Sequence, residues 1–224
     1  MKVLSDIEEM VHIDAGDNIS IEGALGVPKG ASAIVLFAHG SGSSRWSPRN
    51  NLVAGVLRKA GLATLLMDLL TREEDSGFQA RFDIDLLTGR LAAAARWVAS
   101  EGVMKGMSVG YFGASTGAAA AIKAAVRADV TAGAIVSRGG RVDLAGEALI
   151  RVKAPTLLIV GGRDEVVVEL NRAAFARLKT EKELVIVPGA SHLFEEPGAL
   201  EEVALLAAEW FRKHLMPGAK PHRA

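Results

Sequence analysis

Cysteine is missing altogether from the 224 residues. That excludes a disulfide framework, a thiolate nucleophile and any cysteine-ligated metal, and it suits a reducing compartment. Net charge is missing too. The 26 Lys and Arg balance the 26 Asp and Glu, so no overall field draws the chain to nucleic acid or to a membrane surface, and neither is expected as a partner. Long apolar runs are also absent. The longest, 118–125, is mostly alanine and is broken by Lys123, far short of the roughly 20 residues that span a bilayer. The opening residues turn acidic at Asp6, Glu8 and Glu9 before a signal-peptide core could form. A soluble, cytoplasmic protein is the expectation. Glycine-rich phosphate loops, dinucleotide fingerprints, paired histidines and calcium-type acidic loops do not occur, so neither a cofactor nor a metal is expected.

What is present is apolar and periodic. Half of the residues are hydrophobic, enough for one large core at this length. Apolar stretches at 10–14 and 19–27 flank the turn residues Ala15 to Asn18 and read as an antiparallel hairpin. Continuous apolar runs follow at 33–38, 63–67, 108–112, 132–136, 155–160 and 183–187, alternating with helical stretches at 51–60, 85–100, 118–128, 169–178 and 200–215. Continuous rather than alternating apolar strands suit parallel strands covered on both faces. The pattern predicts a single α/β domain over 1–224, a doubly wound and mostly parallel sheet with the hairpin at its start and no separate cap domain. Residues 1–9 and 216–224 are expected to be mobile ends. The long polar segment 69–84 is the kind of loop that often serves as a functional flap.

In an open α/β sheet the ligand site lies beyond the carboxyl ends of the strands. There the chain places, in order, His39-Gly40-Ser41-Gly42, Gly113-Ala114-Ser115-Thr116-Gly117, Ser137-Arg138-Gly139-Gly140-Arg141, Gly161-Gly162-Arg163-Asp164 and Gly189-Ala190-Ser191-His192. A serine on a sharp strand-to-helix turn is exposed and has free backbone N–H groups beside it. It needs a base to take its proton, which a histidine can do, and an acid to hold the far imidazole nitrogen. Of the five histidines, only His192 follows a strand end after both a serine and an acid. This makes Ser115 the candidate nucleophile, His192 the base and Asp164 the acid, with Asp143 a rival acid. The N–H groups of Thr116 and Ser41 are the candidate oxyanion donors.

These motifs resemble the α/β-hydrolase superfamily, and within it the compact dienelactone-hydrolase-like branch, over nearly the whole chain. The resemblance implies the same three roles for Ser115, Asp164 and His192, an esterase-like activity, and a relationship to domains found attached to phosphoribosyltransferase domains. Two departures stand out. Dienelactone hydrolases proper use a cysteine nucleophile, which this chain lacks, and the triple-glycine loop of lipases is absent. The expected function is a serine hydrolase cleaving an ester or related acyl bond through an acyl-enzyme. An acyltransferase with the same triad, or a non-catalytic module keeping the fold, stays open.

Arginines crowd the expected mouth: Arg45, Arg49, Arg81, Arg138 and Arg141. Guanidinium forks pair well with carboxylate or phosphate. Arg138 and Arg45 are therefore candidate binders of an anionic group on a small acyl substrate, with Trp46 as a candidate apolar wall. Ion pairing of these arginines with neighbouring acids is the competing explanation. Nothing in the sequence excludes a homo-oligomer.

Overall fold

A computed structural model describes residues 7–127, 129, 131–216 and 218. Among these residues eight strands form one sheet: β1 (Ile7–Asp14), β2 (Ser20–Val27), β3 (Ala33–Ala38), β4 (Ala63–Met67), β5 (Ser108–Ala114), β6 (Ala134–Arg138), β7 (Thr156–Gly161) and β8 (Lys182–Val187). Their spatial order is β1-β2-β4-β3-β5-β6-β7-β8. The first hairpin and the β2–β4 pair are antiparallel, and every later pair is parallel. Residues Ile7 to Glu9, expected to be a loose start, instead pair with Leu25 to Val27 in β1, because the hairpin supplies them with a ladder partner. The remainder of the expected mobile ends, apart from Met216 and Gly218, lies outside the described residues.

Among the described residues seven helices cover the sheet: α1 (Pro48–Lys59), α2 (Arg72–Ser76), α3 (Ile84–Ser100), α4 (Thr116–Ala124), α5 (Ala148–Arg151), α6 (Glu165–Arg177) and α7 (Ala199–Leu215). The period-2 alternation of strand side chains sorts the core into two layers. Ile34, Leu36, Tyr111 and Ile135 face α3 and α4, while Val35, Phe37, Phe112 and Val136 face α1 and α7. Alanines at 92–95 of α3 and 118–121 of α4 are buried, and their small side chains let those two helices pack close together. Helix starts follow local chemistry. Ser47 caps α1, with Pro48 next to it, and Asp83 caps α3, each side-chain oxygen accepting an orphan N–H of the first turn.

The 69–84 segment is more ordered than a polar loop. Leu69 and Leu70 are buried, and Thr71 and Glu74 form a capping box on α2. Glu74 also accepts from Arg90 of α3 at 2.6 Å. A short 3₁₀ turn, Ala80–Phe82, leads into α3. No helix among the described residues is long and apolar enough to cross a membrane.

Candidate active site

β5 runs into α4 through a single residue. Ser115 holds φ 50°, ψ −122°, a conformation that a non-glycine residue adopts only when its surroundings impose it. Its surroundings do so on three sides. Its N–H donates to the Arg138 carbonyl at 3.3 Å, and its own carbonyl accepts from Ala118 and Arg141 at 3.1 and 3.0 Å. The flanking glycines allow the turn to close. A Cβ at Gly113 would lie 2.4 Å from the Ala118 Cα, and one at Gly117 would lie 2.1 Å from the Ala38 carbonyl oxygen.

The candidate acid and base follow β7 and β8. Asp164 stands at the N-cap position of α6 but makes no side-chain cap bond. Its carboxylate instead accepts from His192 Nδ1 at 2.5 Å. The rival acid, Asp143, is committed elsewhere, in a two-pronged pair with Arg141 at 2.9 and 2.8 Å. The loop carrying His192 is seated on glycines. A Cβ at Gly139 would meet the His192 carbonyl at 3.1 Å and its ring at 3.5 Å, and one at Gly161 would meet the Ser191 carbonyl at 2.3 Å. Glu196 fixes the same loop by accepting from the Ser191 N–H at 2.9 Å and from the Ser191 hydroxyl at 3.2 Å, and these donors lower its pKa. Phe194, buried and at φ 57°, plugs the loop into the α1–α7 layer.

Ser115 and His192 thus share the segment Arg138-Gly139 as a common neighbour. With Nδ1 engaged by Asp164, Nε2 is the ring nitrogen left to face a nucleophile. The Ser115 hydroxyl makes no hydrogen bond to it here. Such contacts are often long outside a substrate complex and tighten within it.

On the other side of Ser115 lies the loop after β3. A Cβ at Gly40 would come within 2.9 Å of the Ser115 Cβ, so only glycine fits. The Ser41 N–H has no acceptor in the turn that follows, and Thr116, as the first residue of α4, has an N–H without an intrahelical partner. In the sequence, His39 does no more than mark this loop. In the structure it is 5% exposed and uses both ring nitrogens. Nδ1 pairs with the Gly40 carbonyl at 2.9 Å, and Nε2 accepts from the Leu69 N–H at 3.0 Å. Burial pushes its pKa down.

The expected substrate arginines separate into two kinds. Arg45 is taken up internally. It pairs with Asp68 through both its backbone N–H and its guanidinium, meets Glu22 at 2.5 Å, and stacks over Trp46 at 4.9 Å. An anionic ligand at Arg45 would have to displace two carboxylates. Arg81 likewise serves Asp75. Trp46 is largely exposed and lines a cavity of about 200 Å³ with His39, Ser43, Asp68 and Thr71.

Arg138 is the opposite case. Strand alternation turns it to the α1–α7 side, where it is 8% exposed. Its Nε and Nη1 have no partner. Burial, together with the nearby positive charge of Arg49, pushes its pKa down to about 10. Arg49 itself reaches only Glu195, at 3.4 Å. Among the described residues no cluster of three or more His, Asp or Glu is placed to hold a metal.

Comparisons with known proteins bear on this geometry. A family model described as the dienelactone hydrolase family matches residues 21–215. A solved dienelactone hydrolase of Anabaena variabilis is 55% identical, with a TM-score of 0.91 over 95% of this chain and 100% of that one. Est1E of Butyrivibrio proteoclasticus shares the fold at 17% identity and a TM-score of 0.77, over 92% of this chain and 99% of its own. A Mycobacterium tuberculosis protein named as a phosphoribosyl transferase is 55% identical over 208 residues, 93% of this chain. This chain spans about half, 47%, of that relative's length. The α/β-hydrolase fold, the match across 21–215 and the 55% identity agree: the chain belongs to the dienelactone hydrolase family.

Proposed function

We propose that the protein is a serine hydrolase that cleaves a carboxylic ester or related acyl bond of a small substrate, with Ser115 in the place where dienelactone hydrolases proper carry cysteine. The observation that carries this reading is the 2.5 Å bond that His192 Nδ1 donates to Asp164, next to a serine held at positive φ on a strand-to-helix turn. Ser115 Oγ attacks the carbonyl carbon while His192 Nε2 accepts the hydroxyl proton. Asp164 holds the Nδ1 tautomer and stabilises the imidazolium. The Thr116 and Ser41 N–H groups receive the charge on the carbonyl oxygen. The alcohol leaves with the proton from His192, and water, deprotonated by the same histidine, clears the acyl-enzyme.

Arg138 supports a further reading of the substrate as one that carries an anionic group. A buried guanidinium without a protein partner is costly, and a carboxylate or phosphate bound beside the elbow would satisfy it. The Anabaena relative is named for a hydrolase of a dienelactone, an internal ester that the same acyl chemistry would open. Labelling with a fluorophosphonate probe tests the nucleophile. Wild-type protein is expected to label and the Ser115→Ala variant is not, with ester turnover falling by roughly 10⁴-fold or more. Labelling that survives in Ser115→Ala would refute the assignment, and a folded wild type that never labels would refute the serine-hydrolase reading.

A further inference from the structure

The carbonyl of one residue and the N–H of the next belong to the same rigid, trans peptide unit and point in opposite directions. Whatever fixes the Gly40 carbonyl therefore aims the Ser41 N–H. Two donors fix it. The Ser43 N–H closes a turn onto it at 3.2 Å, with Gly42 at φ 67° allowing the reversal. The His39 Nδ1 reaches it from the other side at 2.9 Å. The imidazole cannot swing away, because the Leu69 N–H donates to Nε2 at 3.0 Å. That donation requires a lone pair on Nε2, which assigns the ring proton to Nδ1 and makes Nδ1 a donor. The ring is almost fully buried, so water does not compete for either bond. Gly40 itself is pressed against Ser115, close enough that a Cβ would come within 2.9 Å of the serine Cβ.

We propose that His39 is a positioning residue for the oxyanion site: its Nδ1–H pins the Gly40 carbonyl so that the Ser41 N–H faces the reacting carbonyl at Ser115. This rests on the serine-hydrolase reading above. Both ring nitrogens of His39 are engaged, so it transfers no proton. It spans two elements, the loop after β3 and the first residue of the 69–84 segment, and holds one donor of the pair in register. The role requires a side chain that donates from the atom attached to Cγ.

Three variants separate this from a merely structural histidine. Asparagine carries its amide nitrogen on Cγ, as histidine carries Nδ1, so His39→Asn keeps the donor to Gly40 and loses the Leu69 link. His39→Gln offers an acceptor towards Leu69 and loses the short donor. His39→Leu loses both. With p-nitrophenyl butyrate as substrate, His39→Gln and His39→Leu are expected to lose roughly 10–100-fold in kcat with KM nearly unchanged. That is somewhat less than the 10²–10³ lost when an oxyanion donor is removed outright. His39→Asn is expected to recover most of kcat. Affinity for a trifluoromethyl ketone, whose adduct carries the oxyanion, should weaken in parallel with kcat across the series.

Equal kcat in His39→Gln and wild type would overturn the proposal, as would a His39→Asn variant as impaired as His39→Gln. A trifluoromethyl ketone affinity that stays constant while kcat falls would also overturn it. If His39→Leu fails to fold, the Asn and Gln pair still decides. Fluorophosphonate labelling of wild type and Ser115→Ala, run beside the series, tells failure of the underlying serine reading from failure of the His39 role.

Discussion

Replacing Arg138 with methionine removes a buried charge for which the protein supplies no partner. The guanidinium is 8% exposed, two of its nitrogens are unpaired, and its pKa is pushed down to about 10 by burial and by Arg49. At about 1.4 kcal/mol for each tenfold change, the fall from the ordinary arginine value corresponds to about 3 kcal/mol held against the charged form. For a base whose folded-state pKa lies below its unfolded one, the unfolded chain binds the proton more tightly. The penalty is therefore fully present at every pH below about 10 and is relieved as pH rises through that value.

Methionine has a similar reach and no charge. Its weaker packing returns part of the gain, so Arg138→Met is expected to be about 1–3 kcal/mol more stable than wild type at pH 7. For a chain of this length that is a rise in Tm of roughly 2–12 °C. The same change should lower kcat/KM for anionic esters by roughly 10–100-fold relative to neutral ones, the worth of one charge-assisted hydrogen bond. Urea titrations of both proteins, with and without a small carboxylate such as succinate, complete the assay. The carboxylate should stabilise wild type and leave the variant unmoved. An Arg138→Met protein less stable than wild type by more than about 1 kcal/mol would refute the reasoning, since the guanidinium would then have been satisfied. Unchanged discrimination between anionic and neutral esters would refute the anion site.

Asp164→Asn should reduce kcat by roughly 10⁴-fold with little loss of fold, because it reverses the hydrogen bond that sets the His192 tautomer. Asp143→Asn should leave kcat within about threefold, and steady-state kinetics on the pair would expose a wrong choice of acid. Gly117→Ala places a Cβ 2.1 Å from the Ala38 carbonyl oxygen, a backbone atom that cannot step aside. A loss of about 3 kcal/mol or more is expected, measured by chemical denaturation, and a neutral result would mean that α4 is free to move off β3.

The alternation of apolar runs with helical stretches was enough to foresee the sheet, its parallel core and the opening hairpin, because side-chain period and strand length carry that information locally. The order of a serine, an acid and a histidine at the ends of β5, β7 and β8 was legible for the same reason, since strand ends can be counted along the chain. Ile7 to Glu9 were not legible as strand, because an exposed edge strand leaves only a weak apolar signature. The helix and capping box inside 69–84 were hidden by a composition that reads as loop.

Charge pairing was the least legible of all. Arg45, Arg81, Arg138 and Arg141 look alike in the sequence, yet folding brings Asp68 and Glu22 to the first, Asp75 to the second and Asp143 to the last. Arg138 alone of these four is left buried without an acid. That Asp164 and not Asp143 meets His192, at 2.5 Å, was likewise decided by the fold. The two bonds of His39 join residues 39, 40 and 69, which only the β3–β4 pairing brings together. The sequence by itself determined which chemical groups stand at the strand ends, because periodicity is written residue by residue. The tertiary structure decided which of those groups meet, because burial and partnership depend on segments far apart in the chain.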